Sequence, residues 1–168
     1  ALVNALVTLS RMDEGVSPLK MEPFPLSEAV ADTAEPFREL AQSKGHALVL
    51  DIAPELTYKG DEYAIRQLVS ILLDNAVKYA RADSPITLTL EKTRRGIALR
   101  CRNGSDPIPE DTLAKLFDRF YRADPSRNAA TGGFGIGLSI ARSIAEAHRG
   151  SICARMAGKE VEFVAELR

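Results

Sequence analysis

Three polar residues stand together at the end of a strongly apolar run, in the segment Leu72–Tyr79. Lys78 follows Asn75 by three residues and Tyr79 follows it by four, so all three would share one face of a helix. An amide oxygen there could bind a hard cation such as Mg²⁺, and a lysine could meet a phosphate as a point charge. An ordinary polar helix face has the same spacing, so spacing alone leaves both interpretations open.

A glycine cluster, Gly132-Gly133-Phe134-Gly135-Ile136-Gly137, runs directly into a helical pattern that begins near Leu138. Glycines let backbone N–H groups approach a phosphate, and the start of a helix adds its positive dipole. No Gly-Lys-Ser/Thr follows, which excludes a Walker A loop, and the strand–helix–strand setting of a dinucleotide site is missing. A flexible hinge is the alternative, and the helix start favours phosphate binding over it.

Aromatic and cationic residues alternate in the segment Phe117–Arg122. Phe117 and Phe120 could simply anchor this segment to the core, or they could contact a ligand directly. Arg119 or Arg122 could reach a phosphate when the segment closes.

Composition limits what the chain can bind. Its 168 residues are 45% hydrophobic and 27% charged, which suits one domain with an ordinary core. A net charge of −1 predicts no nucleic-acid partner, so any phosphate must be held by a few local groups. No run of about 18 apolar residues is present to span a membrane.

Cysteine and histidine usage indicates neither a metal site nor a catalytic pair. Cys101 and Cys153 lie on apparently apolar strands without Cys-X-X-Cys spacing, which predicts buried structural thiols. His46 and His148 are interpreted as structural or surface residues, because neither has a neighbouring group in sequence that suggests catalysis. Together with the absence of a signal peptide, this favours a reducing cytoplasmic setting.

Three helices are predicted to position these residues. The clearest begins after a cap at Asp61 and carries a regular apolar stripe to Val77. Another is predicted from a cap at Ser27 to Gly45, and Pro36 in its interior should kink or interrupt it. Its inward-facing residues would be Val30, Ala34, Phe37 and Leu40. The third runs from about residue 137 to 148.

Alternating patterns predict strands at residues 46–52, 86–90, 97–101, 152–156 and 161–165. The last four form two β-hairpins. Between residues 103 and 135 the periodicity breaks down, apart from a helical patch around Leu113, and so long a segment is usually functional or mobile. The pattern predicts helices on one face of a largely antiparallel sheet.

Residues 1–19 differ in pattern from the rest. Apolar residues recur at helical spacing and are followed by two residues that end helices. The apolar residues are Leu2, Leu6, Leu9 and Met12, and the helix-ending residues are Gly15 and Pro18. A helix of about a dozen residues is too short to be stable alone. Because the chain also starts without Met, we expect a fragment in which residues 1–19 are an appendage and residues 20–168 are one domain.

Three of these segments, in this order, resemble motifs of the histidine kinase branch of the ATPase superfamily shared with type II topoisomerases. Leu72–Tyr79 is similar to the N box, Phe117–Arg122 to the F box, and Gly133–Leu138 to the G2 box. The resemblance covers about residues 20–168. It implies an α+β fold of the Bergerat type, a two-layer α/β sandwich with a mixed, mostly antiparallel sheet, helices on one face and a long ATP lid at about residues 107–135.

The same resemblance implies that the domain binds ATP and Mg²⁺. Asn75 would be the Mg²⁺ ligand, Lys78 and Tyr79 would contact the nucleotide, and the glycines would shape the phosphate end. The implied nucleotide-binding positions are Asn75, Lys78, Tyr79, Asn103, Asp106, Ile108, Phe117, Arg122, Gly133, Gly135, Ile136, Gly137 and Leu138.

Two departures from the family pattern affect the expected chemistry. The family's G1 box carries an Asp that accepts a hydrogen bond from the adenine amino group, and Asn103 stands at that position. An amide oxygen can still accept this bond, and Asp106 is a substitute acceptor. Ile71 lies one turn before Asn75, where the topoisomerase branch has a water-activating Glu, so transfer is favoured over hydrolysis.

The resemblance therefore implies the catalytic domain of a protein histidine kinase from a two-component system. It would phosphorylate a His upstream of Ala1, and the phosphate would pass to an Asp of a response regulator. The expected partners are the response regulator and the chain's own dimerisation domain, in a homodimer, and residues 1–19 resemble the end of that domain. The full protein would be a membrane-anchored bacterial sensor with this domain in the cytoplasm.

Two other functions stay open. Asn103 in place of Asp supports a degenerate module that senses nucleotide without phosphotransfer. A serine kinase of the anti-sigma type shares the fold, but the helix in residues 1–19 and the F box argue against it.

Overall fold

The computed structural model describes residues 19–121 and 136–168. The helices in this part of the chain are α1 (Leu26–Ala34), α2 (Pro36–Ser43), α3 (Glu62–Tyr79), α4 (Glu110–Lys115) and α5 (Gly137–Ala147). Its strands are β1 (Glu22–Pro25), β2 (Leu48–Ile52), β3 (Thr57–Gly60), β4 (Ile86–Thr93), β5 (Gly96–Gly104), β6 (Ser151–Ala157) and β7 (Glu160–Leu167). No helix in these residues is both long and apolar enough to cross a membrane.

A five-stranded sheet, in the order β2-β4-β5-β7-β6, forms one layer of the domain. Strand β2 pairs with β4 in parallel, whereas β4–β5, β5–β7 and β6–β7 are antiparallel. Alternate residues of the central strands, among them Leu88, Leu99 and Phe163, belong to the buried core that the helices share. The predicted two-layer α+β sandwich and both predicted hairpins are confirmed.

Helix α3 is the centre of the helical layer. Asp61 caps it as predicted, because its Oδ1 accepts a hydrogen bond from the backbone N–H of Ala64 at 2.9 Å. The buried stripe consists of Ala64, Ile65, Leu68, Val69, Leu72, Leu73, Ala76 and Val77. The Cys101 thiol of β5 lies 3.7 Å from the carbonyl oxygen of Leu72, so this stripe faces the sheet directly. Burial of each large apolar side chain contributes about 1.5–3 kcal/mol, which makes α3 the main anchor of the helical layer.

The segment predicted as one helix from Ser27 to Gly45 is two helices, and the predicted interruption at Pro36 is confirmed. Pro36 begins α2 as a separate helix after a break at Glu35, because proline cannot donate the hydrogen bond that would continue α1. Leu40 is 41% exposed, so the prediction that it faces inward is wrong: α2 no longer continues the buried face of α1.

Ser27 lies inside α1 and does not cap it, which corrects the predicted helix start. Its hydroxyl donates to the carbonyl of Ala53 at 2.6 Å and accepts from the N–H of Leu56 at 2.9 Å. The side chain therefore fastens α1 to the loop between β2 and β3, a long-range role that local sequence cannot reveal.

Strands β1 and β3 form a separate two-stranded antiparallel sheet. Neither of these two strands was predicted from the sequence. The pairing places Phe24 opposite Tyr58, and their rings meet edge to face at 6.1 Å. Such a short pairing is favoured by this contact rather than by any local pattern.

The two cysteines lie in different environments. Cys101 is fully buried, and burial raises the pKa of its thiol to about 12. Cys153 is exposed on β6, the edge strand of the sheet. The prediction of a buried thiol is therefore right for Cys101 and wrong for Cys153.

The opposite face of the sheet carries an ion cluster formed by Arg102, Arg155 and Glu162, which lie directly opposite one another on β5, β6 and β7. The Glu162 carboxylate accepts a hydrogen bond at 2.7 Å from each arginine. Its side chain is 1% exposed, whereas Arg102 and Arg155 are 43% and 59% exposed. Burial raises the pKa of Glu162, but the hydrogen bonds and charges of the two arginines outweigh burial and hold the pKa below its usual value.

Replacing Glu162 with Gln should lower the free energy of unfolding by about 1–2 kcal/mol at neutral pH, since charge-assisted bonds to two partly solvated arginines are weakened. The folded pKa of Glu162 is lowered, so its contribution is present above the unfolded pKa of about 4.3 and is lost as pH falls through the folded pKa. Urea unfolding at neutral pH and at about pH 3 should therefore show a smaller acid-induced loss for Glu162→Gln than for wild type.

The matched control is Glu160→Gln, which removes a 3.7 Å contact with Arg102 between two partly exposed side chains. This variant should change the free energy of unfolding by less than about 0.5 kcal/mol. Equal losses in the two variants would contradict the role assigned to Glu162.

Candidate functional site

The predicted site residues fall into three groups in the fold. Arg122, Gly133 and Gly135 lie outside the described residues. One group lies on the second half of α3, another at the start of α5, and the third extends from the end of β5 to the residues just after α4.

The second half of α3 presents Asn75, Lys78 and Tyr79 at the border of its buried stripe. Asn75 and Lys78 are partly buried, and Tyr79 is 48% exposed. Lys78 Nζ donates to Asp74 Oδ2 at 2.6 Å. Both side chains of this ion pair are partly exposed, so it is weak enough to rearrange when an anion approaches Lys78. Asp74 was not predicted, although its i, i+4 spacing to Lys78 is the signal that could have found it.

The start of α5 is a potential anion site next to α3. No side chain among the described residues caps this helix end. The first N–H groups of any helix lack intrahelical partners, and they point out along the axis with the positive end of the dipole. A Cβ built on Gly137 would lie 3.6 Å from Cγ2 of Ile71, one turn before Asn75. The fold therefore places Gly137, at the start of α5, beside Ile71 on the same face of α3 as Asn75.

Among the described site residues, Asn103 is the one with a buried, unpartnered side-chain atom. It lies at the end of β5 with 1% exposure, and its Nδ2 donates to the carbonyl of Gly104 at 3.0 Å. Its Oδ1 is buried and has no hydrogen-bond partner among the described residues. Because a carbonyl can only accept, the Gly104 oxygen requires the amide nitrogen on its side and leaves Oδ1 as a free acceptor.

A buried acceptor without a partner costs about 1–3 kcal/mol, so native structures rarely keep one without a purpose. A ligand that donates an N–H group to Oδ1, such as the amino group of adenine, would remove that cost. The uncharged Asn is also compatible with its neighbour: an Asp here would set a second carboxylate oxygen against the Gly104 carbonyl. The expectation of an adenine acceptor at this position thus fits the residue that is present.

Two residues that the sequence reasoning missed lie against the end of β5. The N–H of Arg81, just after α3, donates to the Gly104 carbonyl at 2.8 Å. Gly104 leaves no room for a side chain, because a Cβ there would lie 2.5 Å from Cβ of Ser84. The end of α3 is therefore fastened to the strand that carries Asn103. No local motif marks Arg81 or Ser84, since both act through contacts distant in sequence.

The third group is dispersed. Phe117 is buried, and its ring packs edge to face on Phe163 at 6.2 Å. Ile108 is partly buried against the core, and Asp106 is exposed. Of the two roles considered for Phe117, the described contacts show core anchoring, and its nucleotide contact stays a prediction. Phe120 is 69% exposed with a φ of 63°, so it does not share that anchoring.

Comparison with known proteins gives consistent matches. The family of histidine kinase-, DNA gyrase B- and HSP90-like ATPases matches residues 60–168. Signal transduction histidine-protein kinase BaeS of Escherichia coli (strain K12) is 34% identical over 153 residues, which cover 91% of this chain and 33% of the relative. Sensor histidine kinase YkoH of Bacillus subtilis (strain 168) is 36% identical over 148 residues, which cover 88% of this chain and 31% of the relative. The chain thus spans about a third of the length of these curated relatives.

Solved structures show the same relationship. The catalytic domain of histidine kinase ThkA superposes with a TM-score of 0.74 at 25% sequence identity. The superposition covers 84% of this chain and 91% of that domain.

Asn103→Leu should leave the ligand-free chain as stable as wild type or up to about 1 kcal/mol more stable, because it removes an unpartnered buried acceptor. The Gly104 carbonyl keeps its bond from Arg81. Asn103→Asp is the comparison variant and should lower the free energy of unfolding by about 1–3 kcal/mol. Urea unfolding without nucleotide measures both, and a loss in Asn103→Leu as large as that in Asn103→Asp would show that Oδ1 serves the fold.

Proposed function

This chain belongs to the histidine kinase-, DNA gyrase B- and HSP90-like ATPase family, and we propose that it donates the γ-phosphate of ATP to a histidine side chain. It is an ATP-binding catalytic domain of the sensor histidine kinase type. The acceptor histidine belongs to a dimerisation domain; we assign residues 1–19 to the end of that domain and residues 20–168 to the catalytic domain. From the histidine the phosphate passes to an aspartate of a response regulator.

The observation that carries this proposal is the free, buried Oδ1 of Asn103. It would supply one acceptor for the adenine amino group from a side chain that is 1% exposed. The start of α5 and the Asn75 face of α3 lie together and provide N–H groups and an amide oxygen for the phosphate end. A nucleoside triphosphate needs one binding site for its base and another for its phosphates, and the proposed residues would provide both on a single domain.

Each described residue has a proposed task in the transfer. Asn103 orients the base, the N–H groups at the start of α5 hold phosphate oxygens, and Lys78 leaves Asp74 to neutralise phosphate charge. The side-chain oxygen of Asn75 is the proposed ligand of Mg²⁺, a cation that prefers oxygen donors. When bound, Mg²⁺ neutralises charge on the phosphates during transfer.

Ile71 favours transfer to a protein acceptor over hydrolysis. It is partly buried at the junction of α3 and α5, within van der Waals contact of the Cβ position of Gly137. An aliphatic side chain cannot accept a proton from water, so the position gives no base for water attack on the γ-phosphate. The chain alone should therefore hydrolyse ATP slowly.

The wider setting follows from the relatives, which are sensor proteins about three times as long as this chain. We propose that the full protein is a homodimeric, membrane-anchored bacterial sensor and that this domain works in the cytoplasm. A nucleotide-sensing module without transfer is the alternative that Asn103 first suggested. The fixed orientation of the Asn103 amide weakens that alternative, because the acceptor function of the usual Asp is retained. An anti-sigma-type serine kinase shares the fold, and no described contact favours it.

Asn75→Ala should weaken MgADP binding about tenfold in calorimetric titrations with Mg²⁺ and change affinity less than about twofold in EDTA, since it removes a metal ligand. Ser70→Ala is the matched control on the same helix; within the described residues the Ser70 hydroxyl donates to the Arg66 carbonyl. Equal losses with and without Mg²⁺ would reject Asn75 as the metal ligand.

Phosphotransfer itself is tested by mixing the chain with radiolabelled ATP, Mg²⁺ and its own dimerisation fragment. Acid-labile, alkali-stable label should appear on the fragment, as phosphohistidine chemistry requires, and a fragment with that histidine changed to glutamine should stay unlabelled. Normal ATP binding without any labelled fragment would contradict the kinase proposal and leave the sensing module.

A further inference from the structure

His148 ends helix α5 and is the most deeply buried polar residue of the described chain. It has no exposed surface, and both ring nitrogens have partners. Nδ1 lies 2.8 Å from the carbonyl oxygen of Ile144, and Nε2 accepts from the backbone N–H of Asp61 at 3.0 Å. A carbonyl can only accept and an N–H can only donate, so the ring is neutral with its proton on Nδ1.

The partner of Nε2 is the capping residue of α3. The Asp61 carboxylate accepts from Ala64 N–H through Oδ1 and from Lys20 N–H through Oδ2, each at 2.9 Å. His148 therefore joins the end of α5 to the start of α3. The other end of α5 lies beside Ile71, where the phosphate site is proposed. The two helices run antiparallel, with a polar junction at one end and the proposed site at the other.

The ring of His148 has little room to move. A Cβ on Gly60 would come within 2.9 Å of its Cδ2, and the Tyr58 ring lies 6.0 Å away. Between the junction and the site, α3 and α5 meet through apolar side chains such as Ile140 and Ile144. Apolar contacts are non-directional and tolerate small axial shifts, whereas a hydrogen bond requires a narrow geometry.

We infer that His148 is a positioning residue for phosphate binding: its Nε2 bond to Asp61 sets the axial register of α5 against α3. The inference rests on the proposed nucleotide site. Because α5 is a rigid rod, a shift at its end moves the N–H groups of Gly137 and Leu138 relative to Asn75 by a similar distance. The adenine end, at Asn103 on β5, does not depend on this register.

Two substitutions separate the bonds of the ring. Nδ1 and the amide nitrogen of Asn are both two bonds from Cβ, so His148→Asn keeps a donor for Ile144 and loses the acceptor for Asp61. Nε2 and the amide oxygen of Gln are both three bonds from Cβ, so His148→Gln keeps the acceptor for Asp61. The two variants are similar in polarity and differ in which of the two hydrogen bonds of the ring they keep.

The test measures the affinities of MgADP and adenosine for the 168-residue chain and both variants, at a temperature where unfolding curves show all three folded. His148→Asn should weaken MgADP binding about tenfold, a loss typical of one hydrogen bond, and change adenosine binding less than about twofold. His148→Gln should stay within about threefold of wild type for both ligands. Equal losses for both ligands, or equal MgADP affinities in the two variants, would overturn the inference.

A second readout does not depend on nucleotide. Long-range proton–nitrogen NMR spectra of wild type should show His148 as the neutral tautomer protonated at Nδ1, and the tautomer protonated at Nε2 would overturn the assigned bond to Asp61. If wild type shows the expected tautomer but binds neither ligand, the proposed function fails and the phosphate role of His148 fails with it. If wild type binds both and only the variant pattern is absent, the inference alone fails.

Discussion

Burial of one side of α3 against the five-stranded sheet is the interaction on which the rest of the molecule depends. The same helix supplies the core with a continuous apolar stripe and presents Asn75, Lys78 and Tyr79 along the edge of that stripe. Core packing and site geometry are therefore one constraint, because any rotation of α3 that moved Asn75 would also expose apolar surface. The rigid apolar layer thereby fixes the positions of the side chains that must face a highly charged ligand.

Polar contacts fix the relative positions of helices and strands that apolar packing alone leaves undetermined. At one end of α3, Arg81 is hydrogen-bonded to the strand that carries Asn103, and at the other end Asp61 meets His148 of α5. These contacts position the proposed base acceptor and the proposed phosphate-binding helix start independently of each other. The fold can thus keep a free buried acceptor at Asn103, because the surrounding strand and loop are already held by other bonds.

The sequence was most informative where the signal is local and periodic. The cap at Asp61, the stripe of α3 and the two hairpins are encoded in neighbouring residues, and all were predicted correctly. Pairings between distant segments were missed, as in β1 with β3, because two short strands become stable only when Phe24 meets Tyr58. Ser27 was misplaced because its hydroxyl makes a long-range hydrogen bond instead of capping the helix. Leu40 was misplaced because the helix breaks before Pro36.

For the site, the sequence by itself determined which residue types are available: the amide and lysine on one helix face, the glycines before another helix, and Asn at the end of a strand. It also determined the family, because those motifs occur in a fixed order. Only the tertiary structure decided that the start of α5 lies beside Ile71, that the Asn103 oxygen is free and oriented, and that His148 is buried as one tautomer. The physical reason is that hydrogen-bond direction and burial depend on groups far apart in the chain, which spacing along the sequence cannot specify.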